Sequence, residues 1–333
     1  MKKTCILMAL VCMAAVAMVQ AQDVPVYGNW AGQFVEKTWA AKSLTAQIVG
    51  ESRDTYRVDL FIDGKQFNAQ AVDAGKYAAI SQVVNLGKEL GGQYILTGFI
   101  EKGKFSGSLI SPIQTIEFLM ERVADKSPTF GLKAPEGAIV LIGGEEMPQQ
   151  ERHDLFYNNW NVQPHWVVSG DGSVHMSGSN IFTKQEFGDA QIHVEFMCPY
   201  MPEDRGQARG NSGVYVMGRY EVQVLDSFTD TPQDNLCGGV YQFGVPKEKA
   251  SFPPMTWQTY DITISAPKFE GEKKVKDAVL TVVHNGIKVH DNLVLSRCTP
   301  GGVSGKEAPV GCLLFQDHGN TVRFRNVWVK PLN

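Results

Sequence analysis

Residues Arg209–Ser227 read RGNSGVYVMGRYEVQVLDS. Within this stretch Tyr220–Leu225 alternates as a strand does: Val222 and Val224 fall on one face, Glu221 and Gln223 on the other. Asp226 is out of step by one residue. It rejoins the polar face if a β-bulge inserts near Leu225, and two carboxylates and an amide then share one ridge. Such a pair can divide acid and base work, because neighbouring charge and burial drive two carboxyl pKa values apart. The same pattern also describes a solvated strand face that ends in a turn-forming Asp before Ser227. Immediately upstream, Arg205–Gly213 (RGQARGNSG) is rich in Gly and polar donors. It lacks Gly-Lys-Ser/Thr and leads into a strand rather than a helix, so it is not a phosphate-cradling loop. Its glycines let the backbone approach a ligand, and Arg209 and Asn211 can donate to sugar hydroxyls or an oxyanion. A surface loop without function fits equally well.

Strand patterning continues outward in both directions. Gln191–Phe196 alternates Ile192, Val194 and Phe196 with Gln191, His193 and Glu195, and Val322–Val329 alternates again near the C-terminus. Ala278–His284 and Ile287–His290 flank Asn285-Gly286, the dipeptide best suited to the positive φ values of a type I′ hairpin turn. Helical periodicity is scarce, which predicts an antiparallel sandwich or jelly roll of ~200 residues. Toward the N-terminus, Leu44–Val49, Tyr56–Ile62, Ala79–Val84, Tyr94–Ile100 and Phe105–Ile110 are short strands punctuated by glycine turns. They predict a compact β-meander or small barrel with no concentrated chemistry. The whole chain is therefore read as all-β. Ser127-Pro128-Thr129 and Lys133–Gly137 are linker-like, and the boundary is placed near Pro135, giving domains over 22–135 and 136–333.

The first residues suggest the compartment. Lys2 and Lys3 precede an apolar run, Ile6 to Met18, and Val19-Gln20-Ala21 sets small residues where a signal peptidase cuts. Residues 1–21 are thus expected to be a secretory leader, and the protein to be periplasmic or extracellular. The apolar run falls short of a ~20-residue membrane span, and no later segment supplies one. Of 31 basic side chains, losing Lys2 and Lys3 leaves 29 against 35 acidic, a net charge of −6. That balance argues against nucleic acid or an anionic membrane as partner, since both reward a basic patch. Cys198, Cys237, Cys298 and Cys312 remain. They allow three disulfide connectivities or four buried thiols, and with no CxxC pair and no HExxH they do not read as a zinc site.

A second polar knot, Gln316-Asp317-His318-Gly319-Asn320, follows the apolar Leu313–Phe315. It places polar side chains at a sheet rim or in a cleft, where His318 beside Asp317 suits a general base near neutral pH. A plain hairpin loop is equally compatible. The other histidines show no metal-ligand spacing. Trp166, Tyr215, Tyr241, Phe243 and Trp257 are candidates to stack on pyranose C–H faces, although most aromatics in a sandwich are core.

Taken in order, Phe187–Phe196 (FGDAQIHVEF), Arg209–Tyr215, Tyr220–Ser227, Trp257–Ile262 (WQTYDI), His284-Asn285-Gly286 and Gln316–Gly319 through Arg325–Val329 resemble the 3-keto-disaccharide hydrolase domain family from about Gly137 onward. The resemblance implies a concanavalin-like jelly roll and hydrolysis of glycosides already oxidised to a ketone at C3. A C3 carbonyl acidifies the C2 proton, so a base can remove it, the C1 aglycone can leave by β-elimination, and water can add back. On this reading Glu221, Asp226 and His318 are the acid/base candidates. Arg209, Asn211, Tyr215, Gln223, Trp257, Gln316 and Asp317 would hold the sugar or the enolate oxygen. A divalent cation on Glu221 and Asp226 could serve the same end; no other cofactor is implied. The strand Glu221-x-Gln223-x-x-Asp226 also resembles the Glu-x-Asp-x-x-Glu strand of laminarinase-type glycosidases, departing from it at the middle and last places. Two alternatives therefore stand beside the keto-sugar reading: a retaining β-glycosidase, and a carbohydrate-binding module without catalysis.

Overall fold

A computed structural model describes residues 25–37, 39–161, 166–175 and 178–332. The expected leader over 1–21 lies outside them. Eight antiparallel strands form the first unit: β1 (Gly28–Phe34), β2 (Leu44–Gly50), β3 (Thr55–Ile62), β4 (Lys65–Asp73), β5 (Ala78–Asn85), β6 (Gln93–Glu101), β7 (Lys104–Ile110) and β8 (Thr115–Arg122). Each pairs with the next, and β8 closes on β1 through Trp30↔Arg122 to Phe34↔Phe118, so the meander is a closed barrel. Closure removes both sheet edges. The interior is filled by alternate residues such as Trp30, Leu60, Leu96, Phe105 and Met120.

The compact units divide between Val123 and Ala124, so the Pro-containing stretch that reads as a linker packs within the second unit. Ser127 Oγ and Thr129 Oγ1 lie 2.5 and 2.9 Å from Thr259 Oγ1, and Thr129 donates to Asp261 Oδ2 at 2.6 Å. Hydroxyl partners of this kind give a Pro-rich segment a fixed seat that composition does not announce.

The second unit runs through β9 (Ile139–Ile142), α1 (Gln149–Asn159), β10 (Trp160–Asn161), β11 (Val167–Val168), β12 (Val174–His175), β13 (Ile181–Phe187) and β14 (Ala190–Met197). It continues with β15 (Ser212–Val216), β16 (Tyr220–Val224), β17 (Gln258–Ser265), β18 (Lys268–Glu270), β19 (Lys273–Lys276), β20 (Ala278–His284), β21 (Ile287–Leu295), β22 (Gly311–Phe315) and β23 (Arg323–Pro331). One sheet has the order β10-β13-β22-β15-β16. The other has the order β11-β12-β23-β14-β17-β20-β21, with β9 also on β23. The two sheets share one core: Val214, Val222, Val224 and Phe315 from the first, Ile192, Val194, Tyr260, Ile262 and Phe324 from the second. This is the jelly-roll sandwich that the alternation predicts, and the chain as described is nearly all β.

Asn285 (φ 50°) and Gly286 (φ 83°) turn β20 into β21, as that dipeptide predicts. The helix α1 was not legible. Its sequence, QQERHDLFYNN, buries only Arg152 and Phe156, so no apolar stripe marks it. Arg152 Nη1 reaches the carbonyls of Glu145 at 3.2 Å and Asp171 at 3.4 Å, bonds that periodicity does not reveal. The four cysteines are all free and buried, which is the thiol alternative rather than any of the three pairings. Among the described residues no helix is long and apolar enough to cross a membrane.

Candidate functional site

Strands β15 and β16 send alternate side chains to opposite sides. Val214, Val216, Tyr220, Val222 and Val224 enter the core, while Tyr215, Glu221 and Gln223 line a cavity of about 240 Å³ on the other face. The register sets Tyr215 opposite Glu221 and Gly213 opposite Gln223. Gln316, just past β22, joins them and is tied to β15 by a bond from its N–H to Gly213 O at 2.9 Å. Asn211 and His318 complete the part of the wall foreseen in the sequence; His318 stands exposed at the rim.

Glu221 is the one carboxylate among the lining residues, and no Lys or Arg lines the cavity beside it. Its side chain is buried, and desolvation pushes its carboxyl up to about 7; a hydrogen bond from Tyr215 pulls it part of the way back. A carboxyl poised there is ionised often enough to take a proton at neutral pH and protonated often enough to return one. Burial and the adjacent Glu221 push the Tyr215 phenol upward, so it keeps its proton. Its hydroxyl lies 2.9 Å from Pro300 O and 3.3 Å from Gln316 Nε2.

Gly213 makes room for this arrangement. A Cβ there would stand 2.5 Å from Glu221 Oε1 and 3.1 Å from the Tyr215 ring. Gly213→Ala is therefore expected to displace the carboxylate and lower kcat by about 100-fold, since an ångström of misplacement costs on that order. The thermal midpoint should fall by only a few degrees. Steady-state kinetics with a parallel melting curve checks both.

Among the described residues, the amide oxygens of Asn211, Gln223, Asn235 and Gln316 are buried without a hydrogen-bond partner. All four residues line this one cavity. Buried polar groups are ordinarily paired, so this concentration marks a surface built for a ligand.

Four expected site residues are elsewhere. The strand β16 ends at Val224, Leu225 enters the core, and no bulge returns Asp226 to the polar face. Asp226 instead accepts from Arg209 Nε at 2.7 Å, and its own N–H donates to Arg209 O at 3.1 Å. Neither residue lines the cavity. Their side chains are 1% and 9% exposed, so the pair is a buried structural tie. Gly210 permits it: its φ is +63°, and a Cβ would meet Asp226 Cβ at 3.1 Å. Glu221 and Asp226 therefore do not share one cavity for a cation. Among the described residues no group of three or more His, Cys, Asp or Glu could hold a metal. Trp257, at the entry to β17 in the other sheet, lies under the Arg325 guanidinium at 4.1 Å. Asp317 closes its own turn, Oδ1 accepting from Gly319 N–H at 2.8 Å.

Gln207, Asn235, Tyr241, Pro300 and Gly301 also line the cavity. Tyr241 was among the aromatic candidates. Gln207 lies in the polar loop already singled out, whereas nothing in the sequence around Asn235 marks it.

Residues 138–330 match the family model described as a 3-keto-alpha-glucoside-1,2-lyase-like domain. A crystal structure named as a "putative glycosyl hydrolase" from Parabacteroides distasonis is 30% identical, with a TM-score of 0.51, over 60% of this chain and 85% of that one. A second structure of the same name and organism is 20% identical over 57% and 99% of the two chains, with a TM-score of 0.38. No curated protein matches the chain.

Proposed function

Since the chain belongs to the 3-keto-alpha-glucoside-1,2-lyase-like family, we propose that it is a glycosidase-type enzyme acting on 3-keto-glycosides, with Glu221 as the base that removes the C2 proton. The glycosidase class rests on the family match and on the relative from Parabacteroides distasonis. The observation that carries the finer reading is a lone, desolvated carboxylate near pKa 7 inside a polar cavity of about 240 Å³.

The C3 ketone makes the C2 hydrogen acidic. Glu221 takes that proton, and the electron pair of the broken C2–H bond forms an enolate. As the enolate collapses, C1=C2 forms, the C1–O bond breaks and the aglycone oxygen departs with a proton. Water then adds oxygen to C1 and hydrogen to C2, which returns a 3-keto sugar. His318, at the rim, is the group positioned to supply the leaving-group proton from the solvent side. Export to the periplasm or medium is part of the same proposal.

The retaining two-carboxylate alternative needs two carboxyl groups ~5–5.5 Å apart across the glycosidic bond. Asp226 is committed to Arg209 instead, and Glu221 is the one acid in the cavity wall. A binding module without catalysis would give saturable sugar binding and no turnover. The test is release of p-nitrophenol from the 3-keto-glucoside and from its unoxidised parent across pH 5–8, with and without divalent metal. Release from the keto substrate alone is expected; no release under any of these conditions rejects the proposal.

A further inference from the structure

The unpartnered amides of the cavity have a fixed polarity. Gln207 Nε2 donates to the main-chain carbonyl of Asn235 at 2.8 Å. A carbonyl can only accept, so the amide of Gln207 has one possible orientation and its Oε1 points the other way. Asn211 Nδ2 donates to Gln207 O at 2.7 Å and approaches Gln207 Oε1 at 3.3 Å; Gln223 Nε2 approaches the same Oε1 at 3.5 Å. The NH₂ ends of both side chains are thereby drawn to Gln207, and their oxygens point away from it, with no partner among the described residues. Gln316 is fixed in the same sense. The single proton of Tyr215 goes to an acceptor, Pro300 O at 2.9 Å or Glu221, so the phenol oxygen accepts from Gln316 Nε2.

The outcome is a wall of oxygen acceptors. Asn211 and Gln223 are 1% and 5% exposed, and each has its amide oxygen buried without a partner. Asn235 and Gln316 add two more such oxygens. A ligand that satisfies this wall must bring several hydrogen-bond donors, as the hydroxyl groups of a sugar ring do. A ketone oxygen only accepts and gains nothing there.

We infer that the amide wall is the subsite for the unoxidised hydroxyls of the sugar, that it turns the C3 carbonyl away from itself, and that Gln207 is the positioning residue that sets its polarity. This rests on the reading of the cavity as a sugar site. It does not depend on the elimination chemistry.

The test uses methyl α-glucoside, an unoxidised ligand, and its four monofluoro analogues, in which fluorine replaces one hydroxyl at a time. Fluorine keeps the size and the acceptor character of oxygen but cannot donate. Calorimetric titration of the wild-type protein is expected to show binding of the parent. Fluorination at two or more positions should weaken it by about tenfold or more, because a buried acceptor is then left unpaired. Gln207→Leu should raise Kd by about tenfold. Gln207→Glu, which keeps the acceptor but loses the donor to Asn235 O, should also raise Kd by about tenfold. On a turned-over 3-keto-glucoside, Gln207→Leu should raise KM and leave kcat within threefold. Absence of binding, tolerance of fluorine at all four positions, or an unchanged Kd in Gln207→Leu would overturn the inference. Fluorine-sensitive binding without turnover of 3-keto substrates would keep the subsite and reject the elimination chemistry.

Discussion

Glu221→Gln is expected to lower kcat on a 3-keto-glucoside by about 10³-fold, the usual worth of a positioned general base, and at the same time to stabilise the fold at alkaline pH. Burial raises the Glu221 carboxyl from 4.5 to about 7. The folded chain therefore holds this proton more tightly than the unfolded chain does. Stability contributed by the protonated form is fully present below about pH 4.5 and is lost as pH rises through about 7, when the native state must ionise a buried group. The loss is on the order of 3 kcal/mol across that window. Glutamine has nothing to ionise. Denaturant midpoints for the two proteins should nearly coincide at pH 4.5 and diverge by pH 8, with the variant the more stable. A residue that serves the fold would show the opposite sign. Activity of the wild type should rise with pH through about 7, as the base form is populated.

The Arg209–Asp226 tie predicts a different signature. Asp226→Ala leaves a buried guanidinium uncompensated and should cost about 3–5 kcal/mol, a large share of the ~5–15 kcal/mol that holds a typical protein folded. Replacing both partners with apolar groups, Arg209→Met with Asp226→Leu, should recover most of that loss, because no charge is then left buried. If Asp226 served only to hold its loop, the double variant would keep kcat within about tenfold of wild type while Asp226→Ala unfolded early. Urea titrations at 15 °C with kinetics on the folded protein separate the two properties. A double variant that folds well and has lost about 10³-fold in kcat would return Asp226 to the catalytic machinery.

The contrast between Glu221 and Asp226 shows how far the sequence reaches. A period of two settles which way Glu221 and Gln223 point once Val222 and Val224 are buried, and that part of the site was legible from five residues. Asp226 was not. Whether the chain bulges or leaves the sheet after Val224 depends on Arg209, seventeen residues away, and on a positive φ at Gly210. Alternation carries no information about either. Gln207 and Asn235 were missed for a related reason: their role arises from hydrogen bonds between a short turn and a distant loop. Trp257 illustrates the reverse error. As an aromatic it was a candidate to stack on a sugar face, but it stands at the entry to β17, in the sheet opposite the cavity, where it packs under Arg325. Short strands marked by β-branched runs gave away much of the barrel, whereas β1 and β4 become strands through pairing with neighbours rather than through strong patterning of their own; β8 does alternate, with Ile116, Phe118 and Met120 buried.

The central claim is that Glu221 removes the proton from C2 of a 3-keto sugar. Turnover of a 3-keto-glucoside in D₂O, followed by proton NMR, tests it most directly. Loss of the C2 hydrogen to solvent in step with aglycone release, with the unoxidised glucoside untouched, is the predicted result. Aglycone release with the original C2 hydrogen fully retained, or equal release from the unoxidised glucoside, would contradict it.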